Sequence, residues 1–157
     1  LLVGVPAAAS ELPTGAFGDR AALRAAVDEW VANSSAAEAT HGSISGWDTS
    51  RVDDMSGSGS PDWDGFFPSS FDAQIGGWDT SKVTTMSNTF YDAEAFNQPL
   101  AWDTSSVTNM AGTFFGAEAF NQKLAWDTSN VKIMYGNDGV DFDKTMHGKF
   151  MYGRFKH

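Results

Sequence analysis

The sequence of 157 residues contains no cysteine, only three histidines, and ten Lys and Arg residues against twenty Asp and Glu residues. The absence of cysteine excludes disulfides, thiolate metal ligands and cysteine nucleophiles. The net charge of −10 opposes the phosphate backbone, so nucleic acid is not an expected partner. No apolar run approaches the roughly 18 residues that a membrane-spanning helix needs, so the chain itself is not expected to cross a membrane.

The residues that carry most enzyme chemistry are also scarce. No two of His41, His147 and His157 lie at a helical metal-ligand spacing, and no Ser or Asp occurs in a recognisable nucleophile motif. The sequence therefore predicts no enzyme activity and no cofactor. What it has instead is 41% hydrophobic residues, with six Trp and twelve Phe, which predicts a folded domain with an aromatic core.

The first ten residues differ from the rest of the chain. They are mostly apolar and include Ala7-Ala8-Ala9, a small-residue pattern that export peptidases accept. We interpret residues 1–10 as a leader remnant or a disordered start. The predicted location is extracytoplasmic, either the cell surface and secreted fraction or an organelle (thylakoid) lumen.

A helical pattern begins at Asp19, which is a suitable N-cap. Leu23, Val27 and Trp30 then fall on one face at intervals of four and three residues. A helix of this length with a single apolar stripe is not stable alone. Residues 11–35 are therefore predicted to form an N-terminal capping helix that packs on the segment after it.

The main feature of the sequence is an internal repeat. The tetrapeptide Trp-Asp-Thr-Ser occurs four times, at intervals of 31, 24 and 24 residues, with Val, Met, Phe and Leu at matching later offsets. One such unit cannot enclose a core, whereas stacked units bury like residues in columns. Repeats are predicted over residues 36–134, with an insertion at 56–70, followed by a divergent C-terminal cap and basic tail at 135–157. The predicted column residues are Trp47, Trp78, Trp102, Trp126, Val83, Val107, Met86, Met110, Phe96, Phe120, Leu100 and Leu124.

The pattern WDTSxVTxM…F…AxxFNQPL closely resembles the repeats of BspA-like leucine-rich-repeat surface proteins, first noticed in mycoplasmas and lactobacilli. The resemblance covers residues 36–134 and implies an extracytoplasmic protein used for adhesion or protein contacts, with no catalytic role. Together with the repeat it predicts a mainly β fold, a short right-handed leucine-rich-repeat-like β-solenoid with an N-terminal capping helix. The repeats are 24 residues long, one fewer than is common in that family, and the array is too short for an adhesive stalk.

Two columns of polar residues allow alternative functions. A ladder of carboxylates could bind calcium between repeats, although an Asp before Thr-Ser also suits an Asx turn, which is the structural interpretation. A column of threonines could order water and bind ice, or could serve β-pairing and local hydrogen bonds. The carboxylates are Asp48, Asp79, Asp103 and Asp127, and the threonines are Thr49, Thr80, Thr104 and Thr128, joined by Thr84 and Thr108.

Two other segments are candidate interaction sites. The insertion places Trp63, Phe66 and Phe67 between Gly, Ser and Pro residues, which is typical of a docking loop, although one Phe could instead fill a core column. Residues 144–157 carry four cations and no acid, so the tail could bind an anionic surface or fold back on the acidic body. The candidates in the tail are Lys149, Tyr152, Arg154 and Phe155.

The sequence predicts a non-catalytic, exported module for protein–protein contact that displays a rigid repeat surface. One alternative is a small extrinsic, lumenal subunit of a large membrane complex, such as an algal photosystem supercomplex. A second alternative is a calcium- or ice-binding repeat protein. The expected partners are proteins, among them a membrane protein complex under the first alternative.

Overall fold

The structure, a computed structural model, describes residues 12–58 and 64–136. Its helices are α1 (Arg20–Ala32), α2 (Ser34–His41) and a short 3₁₀ helix (Ile44–Gly46), all of which precede the repeats. Within these described ranges, no helix is long and apolar enough to cross a membrane.

Helix α1 is present where the sequence predicts it. The Asp19 carboxylate accepts a hydrogen bond from the Ala22 N–H and so caps the first turn. Leu23 and Val27 are completely buried, and Trp30 meets Trp47 of the first repeat edge-on at 6.1 Å. The helix therefore covers the exposed end of the first repeat.

Helix α2 was not predicted, because the sequence indicated a single capping helix within residues 11–35, and α2 (Ser34–His41) continues beyond that range. Asn33 instead serves both helices. Its N–H donates to the Glu29 carbonyl at the end of α1, and its side-chain oxygen accepts from the Ala36 N–H at the start of α2. A single residue can therefore break one helix and cap the next.

Two arginines of α1 hold the insertion that follows the first repeat. The Arg20 Nε donates to the carbonyl of Ser56, the first residue of the insertion, at 2.6 Å. Further along the insertion, the Arg24 guanidinium donates to the Gly65 carbonyl at 2.6 Å and to the Asp64 carboxylate at 3.0 Å. The helix thus fixes the start and the middle of the insertion on the body of the protein.

The repeats stack, and all of the predicted column residues are buried. The four Trp rings lie nearly parallel, with neighbouring centroids 6.0, 6.4 and 6.1 Å apart. Phenylalanines form two further columns, in which Phe67, Phe90 and Phe114 stack at 4.8 and 5.1 Å. Phe71, Phe96 and Phe120 stack at 6.1 and 5.9 Å. The core is therefore a set of parallel aromatic columns beside columns of Val and Met.

Polar groups inside the stack are bonded from one repeat to the next. The Nε1 of Trp102 donates to the Ile75 carbonyl at 2.9 Å, and Trp78 makes the matching bond to Ile44 at 2.8 Å. The hydroxyl of Thr104 donates to the Asp127 carbonyl at 2.8 Å. Among the described residues, no buried side-chain nitrogen or oxygen lacks a hydrogen-bond partner. These bonds set the register between repeats.

The predicted mainly β, right-handed leucine-rich-repeat-like β-solenoid is wrong. The described residues form helices and turns but no β-strand. The β-bridges between the regular repeats are isolated parallel ones, such as Thr85 with Asn109 and Asn109 with Ile133, and separate backbone hydrogen bonds join the repeats elsewhere. The physical reason is that turns interrupt each repeat every few residues. In all four repeats the Val N–H bonds back to the Thr carbonyl three positions earlier, at 2.9 to 3.0 Å. The backbone is therefore never extended long enough to form a ladder.

Candidate interaction surface

The four aspartates of the repeated tetrapeptide occupy identical Asx turns on the surface. The Oδ1 of Asp48 accepts the N–H of Ser50 at 3.0 Å, and the other three repeats match this at 2.9 to 3.0 Å. The hydroxyl of Ser81 also donates to Asp79 at 2.7 Å. Each carboxylate therefore closes the corner of its own repeat.

These hydrogen bonds stabilise the ionised form of the carboxylates. They lower the pKa of Asp48, Asp79 and Asp103 from the ordinary 3.8, chiefly through the hydroxyl and the backbone N–H of the serine two residues later. The pKa of Asp127 is lowered too, first by the Ser129 N–H and then by its hydroxyl. Hydrogen bonds to a charged form favour that form, so the row is fully ionised near neutral pH.

The lowered pKa values predict a loss of stability in acid. Because the folded pKa lies below the unfolded value of 3.8, the contribution is complete above 3.8 and disappears as the pH falls through the folded pKa. In the triple variant Asp79→Asn, Asp103→Asn and Asp127→Asn, the amide oxygen still accepts the turn N–H but no longer titrates. We expect the melting temperature of this variant to fall less than that of the wild type between neutral pH and about pH 3.

A control removes two exposed carboxylates outside the row, by Glu38→Gln and Glu94→Gln. This control keeps the aspartate row, so its melting temperature is expected to follow pH as steeply as that of the wild type. Equal pH dependence in the wild type and the triple Asn variant would contradict the role of these turns.

The structure gives little basis for the metal and ice alternatives. In the parts of the chain that it describes, no three His, Asp or Glu side chains are grouped so that they could hold a metal ion. Thr49, Thr80 and Thr104 are at most 1% exposed, and each hydroxyl donates a hydrogen bond to an Asp carbonyl of the next repeat. Threonines buried in this way cannot present an array of hydroxyls to ice.

The predicted docking loop requires a correction. Phe66 and Phe67 are completely buried, and Phe67 stacks on Phe71 and Phe90 as part of the core. Arg20 lies over the Phe66 ring at 5.8 Å. Neither phenylalanine is a surface contact, because the insertion supplies core residues to the first repeat. Trp63 lies outside the described residues, as do Lys149, Tyr152, Arg154 and Phe155.

An exposed apolar surface that was not predicted from the sequence lies across the last three described repeats. We call it the aromatic face and define it by Tyr91, Phe115, Ile133 and Tyr135. Phe115, Ile133 and Tyr135 are 44%, 43% and 53% exposed. The rings of Tyr91 and Phe115 stack at 5.0 Å with an angle of 13°. The carbonyls of Ile133 and Tyr135 accept backbone N–H groups of the preceding repeat, so the face runs across consecutive repeats.

A signal for the aromatic face was present in the sequence. Met134 continues the inward-facing Met column, so its neighbours Ile133 and Tyr135 have to point outward where the chain is locally extended. Phe115 likewise follows Phe114, which occupies the Phe column. Exposed apolar residues grouped on one side are typical of interaction sites.

Acidic residues flank this face. The N–H of Asp92 donates to the Phe115 carbonyl at 2.7 Å, and burial raises the pKa of the Asp92 carboxyl, with the nearby Glu118 adding to the shift. Glu94 and Glu118 are exposed on adjacent repeats. The surface therefore has an apolar centre beside negative charge.

These features define a repeat protein in which a pair of helices covers one end of a stack of aromatic-rich repeats. The model of a family described as "Mycoplasma protein of unknown function, DUF285" matches residues 26–138, most of the chain. The chain belongs to this family. No curated protein and no solved structure matched the chain.

Proposed function

We propose that this chain is a non-catalytic, exported module that binds another protein through the aromatic face. Export is supported by the Ala7-Ala8-Ala9 pattern and by the resemblance of the repeats to those of BspA-like surface proteins. The observation that carries the proposal is the group of exposed rings on a rigid stack. Aromatic residues supply much of the energy at protein interfaces, and a ring already held by its neighbour loses little entropy on binding.

The surroundings of the aromatic face limit the chemistry of the partner. Phe115 and Tyr135 offer apolar area, while the Asp92 N–H donates to the Phe115 carbonyl and Glu118 lies near Asp92. A complementary partner has an apolar patch bordered by Lys or Arg, because opposite charges at a rim speed association and select against acidic partners. Binding through such a rim is expected to weaken moderately as salt is raised.

The test uses the tagged full chain incubated with membrane and surface extracts of the source cells, followed by cross-linking and mass spectrometry. The double variant Phe115→Ser and Tyr135→Ser is expected to lose roughly tenfold or more of the cross-linked partner, as for residues that contribute over 1.4 kcal/mol. Leu12→Ser is the control, since Leu12 is exposed to 36% and lies outside the face. Circular dichroism verifies that both variants fold.

Equal recovery of the same proteins by the wild type and the double variant would exclude the aromatic face as the contact. Native fractionation in mild detergent then separates the two protein-contact functions. Co-migration with a large membrane assembly supports an extrinsic subunit, whereas recovery with the cell surface supports an adhesive or ligand-binding module.

A further inference from the structure

One short motif of the sequence has no part in the core or in the aromatic face. The triplet Asn33-Ser34-Ser35 has the form Asn-x-Ser, which is the acceptor of N-linked glycans in exported proteins. Of the seven asparagines in the chain, Asn33 is the only one with a Ser or Thr two residues later. Such a triplet also arises by chance, so the surroundings of Asn33 decide whether a glycan fits there.

The side chain of Asn33 uses its oxygen for the fold and leaves its nitrogen unbonded. The Oδ1 atom accepts the Ala36 N–H at 3.1 Å and so caps α2. The backbone N–H of Asn33 donates to the Glu29 carbonyl, and its carbonyl accepts the Ala37 N–H. The Nδ2 atom makes no hydrogen bond to any other described residue. A sugar on Nδ2 therefore leaves all of these bonds in place.

Two asparagines of the repeats show the opposite arrangement. The Nδ2 of Asn88 donates to the Ser58 carbonyl at 3.2 Å, and that of Asn130 donates to the Ser105 carbonyl at 2.7 Å. A glycan on either nitrogen would break a bond that links neighbouring segments of the stack. Neither residue belongs to an acceptor triplet. The motif therefore occurs at an asparagine whose nitrogen the fold does not need.

The triplet is exposed and lies at the other end of the array from the aromatic face. Asn33, Ser34 and Ser35 are all exposed, at the joint between α1 and α2. Both helices precede the repeats, whereas the aromatic face lies across the last three described repeats. A bulky, hydrated glycan at the joint is therefore compatible with the helices and leaves the aromatic face open.

We propose that Asn33 is an N-glycosylation site, and that its substrate is an oligosaccharide carried on a lipid pyrophosphate. The Nδ2 atom forms a bond to the anomeric carbon of the first sugar. The bond from that carbon to the pyrophosphate oxygen breaks, the lipid pyrophosphate leaves, and a base of the transferase takes one proton from the amide nitrogen. This proposal rests on the export in the proposed function, because the transfer takes place on the far side of the membrane that the chain crosses.

The transfer has to precede the folding of the two helices. In the folded chain, Ser34 and Ser35 lie in the first turn of α2, and the Asn33 oxygen is bonded to Ala36. A transferase needs the amide of Asn33 and the hydroxyl of Ser35 together in an extended segment. A helix of eight residues is not stable alone, so the triplet is extended until the helices pack. After folding, the oxygen of the glycosylated side chain still caps α2.

Translation of the full chain into microsomes, behind a cleavable secretion signal, tests the acceptor apart from the cell's own export. We expect the wild type to gain the mass of one N-linked glycan, which peptide N-glycosidase removes. Ser35→Ala deletes the required hydroxyl and is expected to abolish the gain. Ser34→Ala is the matched control, since it keeps the motif, and is expected to be glycosylated like the wild type. An unglycosylated wild type, or a gain that persists in Ser35→Ala, would overturn the proposal.

The protein from the source cells shows whether the site is used. The full chain is recovered from the membrane and surface fraction, digested, and treated with the same glycosidase in oxygen-18 water. By mass spectrometry we expect most copies to carry Asp with the heavy oxygen at position 33, because the enzyme converts a glycosylated Asn to Asp. Unmodified Asn33 in that fraction would overturn the glycan and leave export and the aromatic face intact. Recovery of the chain from the cytosol alone would contradict export, and the glycan with it.

Discussion

Trp102→Ala is expected to lower the free energy of unfolding by about 3–5 kcal/mol. Trp102 is 4% exposed and lies between Trp78 and Trp126, with ring centroids 6.4 and 6.1 Å away. Its Nε1 also donates to the Ile75 carbonyl at 2.9 Å. The substitution leaves a cavity in the centre of the Trp column and a buried carbonyl without its donor, and both effects are unfavourable.

Urea denaturation followed by circular dichroism measures this change. Tyr135→Ala is the control, because Tyr135 is 53% exposed and its loss is expected to cost less than 1 kcal/mol. A cost below 1 kcal/mol for Trp102→Ala as well would mean that the Trp column does not hold the repeats together.

Gly112→Ala is expected to cost about 2–4 kcal/mol, from a strained backbone and from a steric clash. Gly112 has a φ of 61°, which is unfavourable for a residue with a Cβ atom. A Cβ at this position would also collide with the Oδ1 of Asn88 on the preceding repeat. The Asn88 side chain donates to the Ser58 carbonyl, and its backbone N–H donates to the Ala111 carbonyl, so it cannot move away freely.

Gly46→Ala is the matched control for this substitution. An added Cβ at Gly46 has no neighbour within 4 Å, so we expect the free energy of unfolding to change by no more than about 0.5 kcal/mol. Thermal unfolding of both variants under the same conditions measures the difference. Similar stabilities of the two variants would show that the positive-φ position of Gly112 tolerates a side chain.

The column residues could be predicted from the sequence because the same residue types recur at fixed intervals. Trp78, Trp102 and Trp126 repeat every 24 residues, and stacking is the way in which such a repeat buries them all. The start of α1 was predictable for a similar reason, since the cap at Asp19 and the apolar stripe are local signals. Helix α2 was not predicted, because the sequence indicated one capping helix, whereas Asn33 ends α1 and caps a second helix.

The candidate interaction site was predicted less well than the core. Phe66 and Phe67 lie among Gly, Ser and Pro residues, a composition typical of an exposed loop, yet both are buried. Arginines of α1, more than 30 positions earlier in the chain, hold this insertion at Ser56 and at Gly65, next to the two phenylalanines. Conversely, Phe115 and Tyr135 are exposed because their chain neighbours Phe114 and Met134 face the core.

By itself, the sequence determined the number of repeats, the identity of the stacked residues and the capping helix, because these depend on period and on local hydrogen bonding. Only the tertiary structure decided that the repeats are joined through turns and single bridges and not through β-strands. Val and Thr favour strands in isolation, but in each repeat the Val N–H bonds back to a Thr carbonyl three residues earlier. Packing of the aromatic columns outweighs the intrinsic preference of Val and Thr for strands. The outcome of that competition cannot be read from a local sequence pattern.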